Sequence, residues 1–189
     1  MNSDCQIITV SVKDNSAQLS LYGALRNGIR KKLICSEAFI GINGIGKEKE
    51  GDGKTPVGVF RFCAAFGNKP NPGTLFAYIH TDDSYFWVDD SSSAYYNELV
   101  SVENVKKDWS SAEHILSYGA VYNYVLAIDY NKEHIPGIGS GIFLHCSSGR
   151  PTAGCVAVPE DIMIEILKIT EPDCMIVIDT AERIDKYLL

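Results

Sequence analysis

The sequence predicts a predominantly β fold, a sandwich or a partly closed barrel with one or two short helices. Short runs of β-branched and aromatic residues recur along the chain and turn residues separate them. One segment alone carries clear helical periodicity. Many short strands with few helices must bury their apolar faces against one another, which leads to those two architectures.

The elements follow in chain order. Residues 6–12, rich in β-branched side chains, form the first expected strand, and residues 17–22 alternate with Leu19 and Leu21 on one face. Residues 29–42 hold two further apolar clusters, with Arg30-Lys31-Lys32 read as a solvated strand edge. Between Asn43 and Gly58 the chain superficially suggests a phosphate loop, because it contains Gly53-Lys54-Thr55. A phosphate loop needs a glycine where Glu48 stands and a helix afterwards, whereas a strand-like run starting at Pro56 follows. The stretch is therefore read as a β-hairpin connection, with Asp52 and Lys54 shaping its turn. Further strands are expected over residues 57–62, 76–80, 85–88, 121–130, 141–144 and 175–179. The helix is announced by Pro159, by Glu160 and Asp161 at the positive end of its dipole, and by the stripe Ile162, Met163, Ile166 and Leu167; Pro172 stops it. A second short helix is expected near Ser110 to Ser117.

Bulk composition narrows the function classes. One domain over residues 1–189 fits the length, and a chain of this size buries roughly 70% of its unfolded surface. With 46% apolar and 22% charged residues it is neither disordered nor fibrous. A formal charge of −7 argues against nucleic acid, whose phosphates need a basic footprint. No apolar stretch reaches the roughly 18 residues a membrane span requires. The start, Met-Asn-Ser-Asp-Cys, lacks the basic and apolar regions of a secretory leader. A domain this large needs no disulfides, so Cys5, Cys35, Cys63 and Cys174 are read as small buried hydrophobes.

Cys155 stands apart. His145 closes the apolar run Gly141 to Leu144, so its imidazole should emerge at the end of a sheet. A polar excursion with Gly149, Pro151 and Gly154 turns the chain, which returns into Cys155 and the apolar Val156-Ala157-Val158. A fold-back of that kind brings thiol and imidazole together. An imidazole can take the thiol proton and generate a thiolate, the species that attacks acyl carbon. Gly154 lets the backbone approach a substrate, and N–H groups around Cys155 could stabilise an oxyanion. No acidic residue lies nearby to orient the imidazole, which points to a backbone carbonyl just after His145. Spacing alone leaves two other readings open: a structural histidine beside a buried cysteine, and a metal site from His145, Cys146 and Cys155. Zinc would want a fourth ligand or a Cys-x2-Cys spacing, and neither is present.

The surrounding residues resemble the L,D-transpeptidase catalytic domain family, also called the YkuD domain. Its signature is a His, a variable loop, then Ser/Thr-His-Gly-Cys-Ile/Val-Arg, matched here by His145, Thr152, Gly154, Cys155 and Val156. Outlying motifs resemble one branch of it: Gly51-Asp52-Gly53-Lys54-Thr55-Pro56-Val57-Gly58-Val59-Phe60, Trp87-Val88-Asp89-Asp90, Tyr96-Asn97 and Ser111-Ala112-Glu113-His114. Gly139-Ser140-Gly141-Ile142-Phe143-Leu144-His145 and Pro151-Thr152-Ala153-Gly154-Cys155-Val156 complete the set, in the expected order over about residues 33–180. Two positions depart from the signature, Ala153 for its second His and Ala157 for its Arg.

The resemblance implies a β-sandwich-like fold, peptidoglycan stem peptides as substrate, and acyl transfer with neither metal nor organic cofactor. Cys155 would be the nucleophile and His145 its base, with the Cys146 carbonyl orienting the imidazole and amides at Gly154 and Cys155 forming the oxyanion hole. Thr152, Arg150, Asn97, Tyr96 and His114 are the candidate substrate-binding residues. An L,D-carboxypeptidase differs only in using water as acceptor, and a non-catalytic wall-binding module is the other alternative; retention of His145 and Cys155 argues against the latter. Papain-like peptidases place Cys before His, and sortases separate the pair more widely. The expected protein is a monomer in the cell envelope whose leader is absent from this chain, although the missing leader leaves a cytoplasmic location open.

Overall fold

The computed structural model describes residues 5–14 and 16–188. The start of the chain, read above for a leader, lies outside them up to residue 4. Twelve strands are present among the described residues: β1 (Ile7–Lys13), β2 (Ser16–Tyr22), β3 (Lys32–Ala38), β4 (Gly58–Gly67), β5 (Tyr78–His80), β6 (Tyr85–Val88), β7 (Leu99–Ser101), β8 (Ala112–His114), β9 (Val125–Ile128), β10 (Phe143–Cys146), β11 (Val156–Val158) and β12 (Met175–Thr180). The one α-helix, α1, is Glu160–Ile169, and the segments Ile115–Tyr122 and Ile184–Tyr187 are 3₁₀.

Eight strands run in the order β11-β10-β9-β4-β12-β1-β2-β3, with β5 beside β4. The two ends of that sheet meet: just beyond β3, Phe39 exchanges two backbone hydrogen bonds of 2.8 Å with Ala157 of β11. The result is a nearly closed barrel, the architecture the strand pattern predicts. Strand alternation separates two apolar layers. Leu126, Ile128, Leu144, Cys146, Val156 and Val158 face inward with Ile8, Val10, Leu19 and Leu21, and Met163, Ile166 and Leu167 of α1 pack into the same core. Val125, Ala127 and Phe143 face outward, where Phe66, Trp87, Ile115 and Tyr122 cover them. Trp87 belongs to a second sheet, β7-β6-β8, which lies over this outer layer as a lid. Its ring meets Phe143 edge-on at 4.8 Å.

Several expectations are corrected. The helix expected near Ser110 to Ser117 is strand β8 followed by 3₁₀ turns, because residues 112–114 pair with β6, Trp87 opposite Glu113. Residues 121–122 close those turns, so only Val125–Ile128 of the expected 121–130 strand is extended. Strand β4 runs on to Gly67 through a bulge between Phe62 and Ala64. Arg30 is no solvated edge: its guanidinium donates to the carbonyls of Cys5 at 2.7 Å and Gly23 at 3.1 Å. Cys5 and Cys174 are buried as expected, whereas Cys35 and Cys63 are exposed.

The glycine-rich stretch after β3 joins no hairpin, since β3 and β4 are not neighbours. It folds beneath the loop that precedes β11. Asp52 accepts from the amides of Glu48, Lys49 and Lys54 at 2.8–3.1 Å and from Lys47 Nζ at 3.0 Å. Burial works against ionisation of Asp52, but those donors outweigh it and hold the carboxyl well below its ordinary range. Gly41 is required here, because a Cβ at that position would lie 2.4 Å from the carbonyl oxygen of Gly53.

Candidate active site

Cys155 and His145 stand on the same outward face. The register pairs Leu144 with Val156 and His145 with Ala157. Cys155, one residue before β11, therefore lies beside Phe143, and His145 is its diagonal neighbour one pleat along. Both line one cavity of about 300 Å³ between the barrel wall and the lid. Thr152, Ala153, Gly154 and Ala157 line it too, as do Lys47 and Glu50 on one side and Trp87, Asp89, Glu113 and Tyr118 on another.

The nucleophile loop is braced from below. Thr152 Oγ1 donates to the Cys155 carbonyl at 2.6 Å and accepts from the Gly154 amide at 3.1 Å, while Thr55 Oγ1 reaches the same carbonyl at 3.3 Å. Gly154 has φ 153°, and a Cβ there would sit 3.0 Å from the Lys54 carbonyl oxygen, so the loop closes only with glycine. The Gly154 amide, expected to face an oxyanion, has Thr152 as its partner in this structure.

Imidazole and thiol are each oriented by the backbone. His145 Nδ1 lies 2.9 Å from the Cys146 carbonyl oxygen. A carbonyl can only accept, so in the neutral ring this contact assigns the proton to Nδ1 and makes Nε2 the basic nitrogen. Burial lowers the His145 pKa to about 4, although the carbonyls of Cys146 and Val121 favour the charged ring. The Cys155 thiol donates to the Gly141 carbonyl at 3.2 Å and accepts the Phe143 amide at 3.3 Å. Its pKa is pushed up to about 12 by burial and then by the charge of Glu113, against the Phe143 amide and Lys47. At rest the pair is a neutral thiol beside a neutral imidazole, with no hydrogen bond between them. The thiolate–imidazolium pair is not preformed.

The remaining candidates separate by location. Thr152 and Arg150 line the cavity, with Arg150 exposed at the rim. Tyr96, Asn97 and His114 do not. His114 turns away, stacked on Phe86 at 4.7 Å, with Nδ1 2.7 Å from Ser117 Oγ and Nε2 3.0 Å from the Asp83 carbonyl oxygen. The Tyr96 hydroxyl donates to Glu50 at 2.9 Å from behind the wall. Asn97, at φ 63°, is a clamp. Its Oδ1 accepts from Trp87 Nε1 at 3.2 Å and the Gly141 amide at 3.0 Å; its Nδ2 donates to the carbonyls of Tyr130 and Asn131 at 3.1 and 3.2 Å. It thus ties the lid to the residue that holds the thiol. Asn97→Ala would orphan those groups and leave a strained left-handed backbone, a loss of about 3 kcal/mol. A fall in Tm of roughly 6–12 °C is expected in a thermal melt.

Glu113 belongs to the motif Ser111-Ala112-Glu113-His114, and nothing in the sequence singles it out as a site residue. It faces the cavity from β8 and accepts the Tyr122 hydroxyl at 2.6 Å. Burial raises its pKa from 4.5 to about 7, the Tyr122 bond opposes the shift, and Asp89 and Glu50 add to it. Between those two values the fold retains a proton that the unfolded chain has lost, so stability falls as pH rises through that window. Glu113→Gln cannot ionise. Its Tm should match wild type near pH 4.5 and exceed it by roughly 7–14 °C at pH 8, as melts across pH would show.

A barrel-like β domain that presents a cysteine and a histidine together in one cavity is the class of protein defined by this fold and site. The chain belongs to the L,D-transpeptidase catalytic domain (YkuD) family, which it matches over residues 7–178. Among solved structures it is similar to the helical cell shape determining protein Pgp2 from Campylobacter jejuni, at 16% identity and TM-score 0.51, covering 95% of this chain and 49% of that one. The K307A mutant of Pgp2 gives 18% identity, TM-score 0.51, and coverage of 97% and 49%. L,D-transpeptidase 1 from Mycobacterium tuberculosis follows at 13% identity and TM-score 0.42, covering 93% of this chain and 62% of that one. The chain thus spans about half the length of Pgp2. No curated protein matches the sequence significantly. Among the described residues no helix is long and apolar enough to cross a membrane.

Proposed function

We propose that the protein is a peptidoglycan L,D-transpeptidase that uses Cys155 as nucleophile and His145 as general base. One observation carries the reading: the two side chains share one face of adjacent strands and one cavity, with the imidazole proton fixed at Nδ1 by the Cys146 carbonyl. Nε2 takes the thiol proton as sulfur attacks the carbonyl of a donor tetrapeptide stem. The tetrahedral intermediate collapses, the C–N bond breaks, and the imidazolium returns its proton to the departing D-amino acid. The thioester left on Cys155 then passes to the amine of a second stem, His145 again taking the proton, and the thiolate leaves. Because the resting thiol bonds to Gly141, substrate must displace that bond and attack must accompany proton transfer. The substrate implies work on the outer side of the cytoplasmic membrane.

The test is incubation with disaccharide tetrapeptide muropeptides and chromatography of the products. Cross-linked dimers support transpeptidation. Tripeptide monomers without dimers would make the enzyme a carboxypeptidase, and unchanged substrate would leave a wall-binding module.

A further inference from the structure

A buried cation lies beneath the nucleophile loop. Lys47 lines the cavity with a side chain only 2% exposed, and its ammonium donates to Asp52 Oδ1 at 3.0 Å and to the Lys49 carbonyl at 3.1 Å. An ammonium has three N–H donors, so one remains beyond those two bonds. Its position is set from both sides. A side chain on Gly139 would strike Lys47 Cε, and a Cβ on Gly154 would lie 3.8 Å from Nζ. The Lys47 amide donates to the Thr55 carbonyl at 3.3 Å, and the Thr55 hydroxyl in turn reaches the Cys155 carbonyl. The charge is thus fastened to the loop that carries the nucleophile.

Packing alone does not call for a lysine there, since apolar side chains often replace a buried ion pair at no loss of stability. The charge has an electrostatic consequence instead. Asp52 does not line the cavity, and three backbone amides share its negative charge. The pair is therefore a dipole with its positive end at the cavity. That charge favours a thiolate at Cys155, against burial and the charge of Glu113. The other charged side chains on the wall are the acidic Glu50, Asp89 and Glu113, and Arg150 at the exposed rim. Ala157, paired with His145, brings none. A fixed cation in a wall poor in water acts more strongly than the same charge in solvent. It also needs no reorganisation as the sulfur becomes an anion.

Resting on the reading of the site as a cysteine acyltransferase, we propose that Lys47 is a positioning residue of the reaction. Held by Asp52, its ammonium places a positive charge beneath Gly154 that stabilises the anion forming at Cys155 as His145 removes the thiol proton. Asp52 serves by keeping that ammonium in place. The glycine-rich stretch before β4 thereby joins the site as the holder of a charge.

The experiment uses the full chain as wild type, Lys47→Met and Lys47→Arg, each checked by a thermal melt. Labelling of Cys155 by iodoacetamide, which is neutral, and by iodoacetate, which is an anion, is followed at pH 8 by mapping of the modified peptide. Loss of the cation slows both reagents, because less thiolate forms, and slows the anion further, because it loses an attraction. Lys47→Met should react about 3–10-fold more slowly with iodoacetamide, and its iodoacetate-to-iodoacetamide rate ratio should fall about threefold. Lys47→Arg should keep most of that ratio. A loosened loop with no electrostatic role would slow both reagents alike. Acylation by a β-lactam that carries no amine should fall about tenfold or more in Lys47→Met and far less in Lys47→Arg. Should Lys47→Met melt below the assay temperature, Lys47→Gln, which keeps a donor toward Asp52, is the neutral variant for the same comparison. An unchanged reagent ratio in the folded neutral variant, or a ratio lost equally in Lys47→Arg, would overturn the proposal while leaving the acyltransferase standing. Absence of any β-lactam adduct on wild type, with Cys155 still alkylated, would instead overturn the acyltransferase reading beneath it.

Discussion

Cys155→Ala is expected to yield no acyl-enzyme and no cross-linked product, a loss of roughly 10⁴-fold or more in turnover of stem peptides. Cys155 is the only cysteine on the cavity wall among the described residues. Cys146, adjacent to the base in sequence, points to the opposite face of β10, where its thiol bonds to the Tyr124 carbonyl at 3.7 Å inside the barrel core. Burial pushes that thiol up to about 12 and no substrate reaches it. No neighbour can therefore stand in. The fold should survive the change, because the loop is held by Thr152, Thr55 and Gly154 rather than by the sulfur. A folded, inactive Cys155→Ala protein, checked by product chromatography alongside a thermal melt, is the expected pair of results.

His145→Ala should lower acylation at neutral pH by 10²-fold to 10⁴-fold. The resting thiol, with a pKa pushed up to about 12, contributes almost no thiolate unaided, so attack depends on a base that removes the proton during the step. Nε2 can do so because burial keeps the ring neutral down to about pH 4. The base is therefore lost only as pH falls through that value. With an amine-free β-lactam, wild-type acylation should persist from pH 8 to about pH 5 and fall off toward pH 4. In His145→Ala the rate should climb with pH, following thiol ionisation alone. Rates by stopped-time intact mass would separate the two profiles.

Parts of this molecule are legible in its sequence and parts are assembled only in three dimensions. Helix α1 is legible because Pro159, Glu160, Asp161 and an apolar stripe are local signals that tertiary structure merely completes. Strand β8 is not, since Ala112-Glu113-His114 has no strand preference and is extended only because β6 pairs with it. The second half of β4 is hidden for a similar reason: Ala64 and Ala65 carry little β-propensity, and β9 holds them in the sheet. Within the site, Cys155 and His145 could be chosen because their flanking motif is contiguous, and strand register then sets them side by side. Glu113 could not, because its meaning depends on a lid sheet far from Cys155 in sequence. The one signal the sequence carries is the motif around it, in which the candidate His114 stands one residue from the side chain that faces the cavity. In a strand, one residue is the difference between facing the cavity and facing away.

The measurement that tests the central claim most directly is mass spectrometry of the protein after brief reaction with a tetrapeptide stem or a β-lactam, followed by mapping of the modified peptide. The account predicts a single adduct, on the sulfur of Cys155, that hydroxylamine removes as it would any thioester. An adduct on a different residue, or equal labelling of Cys155→Ala, would contradict it.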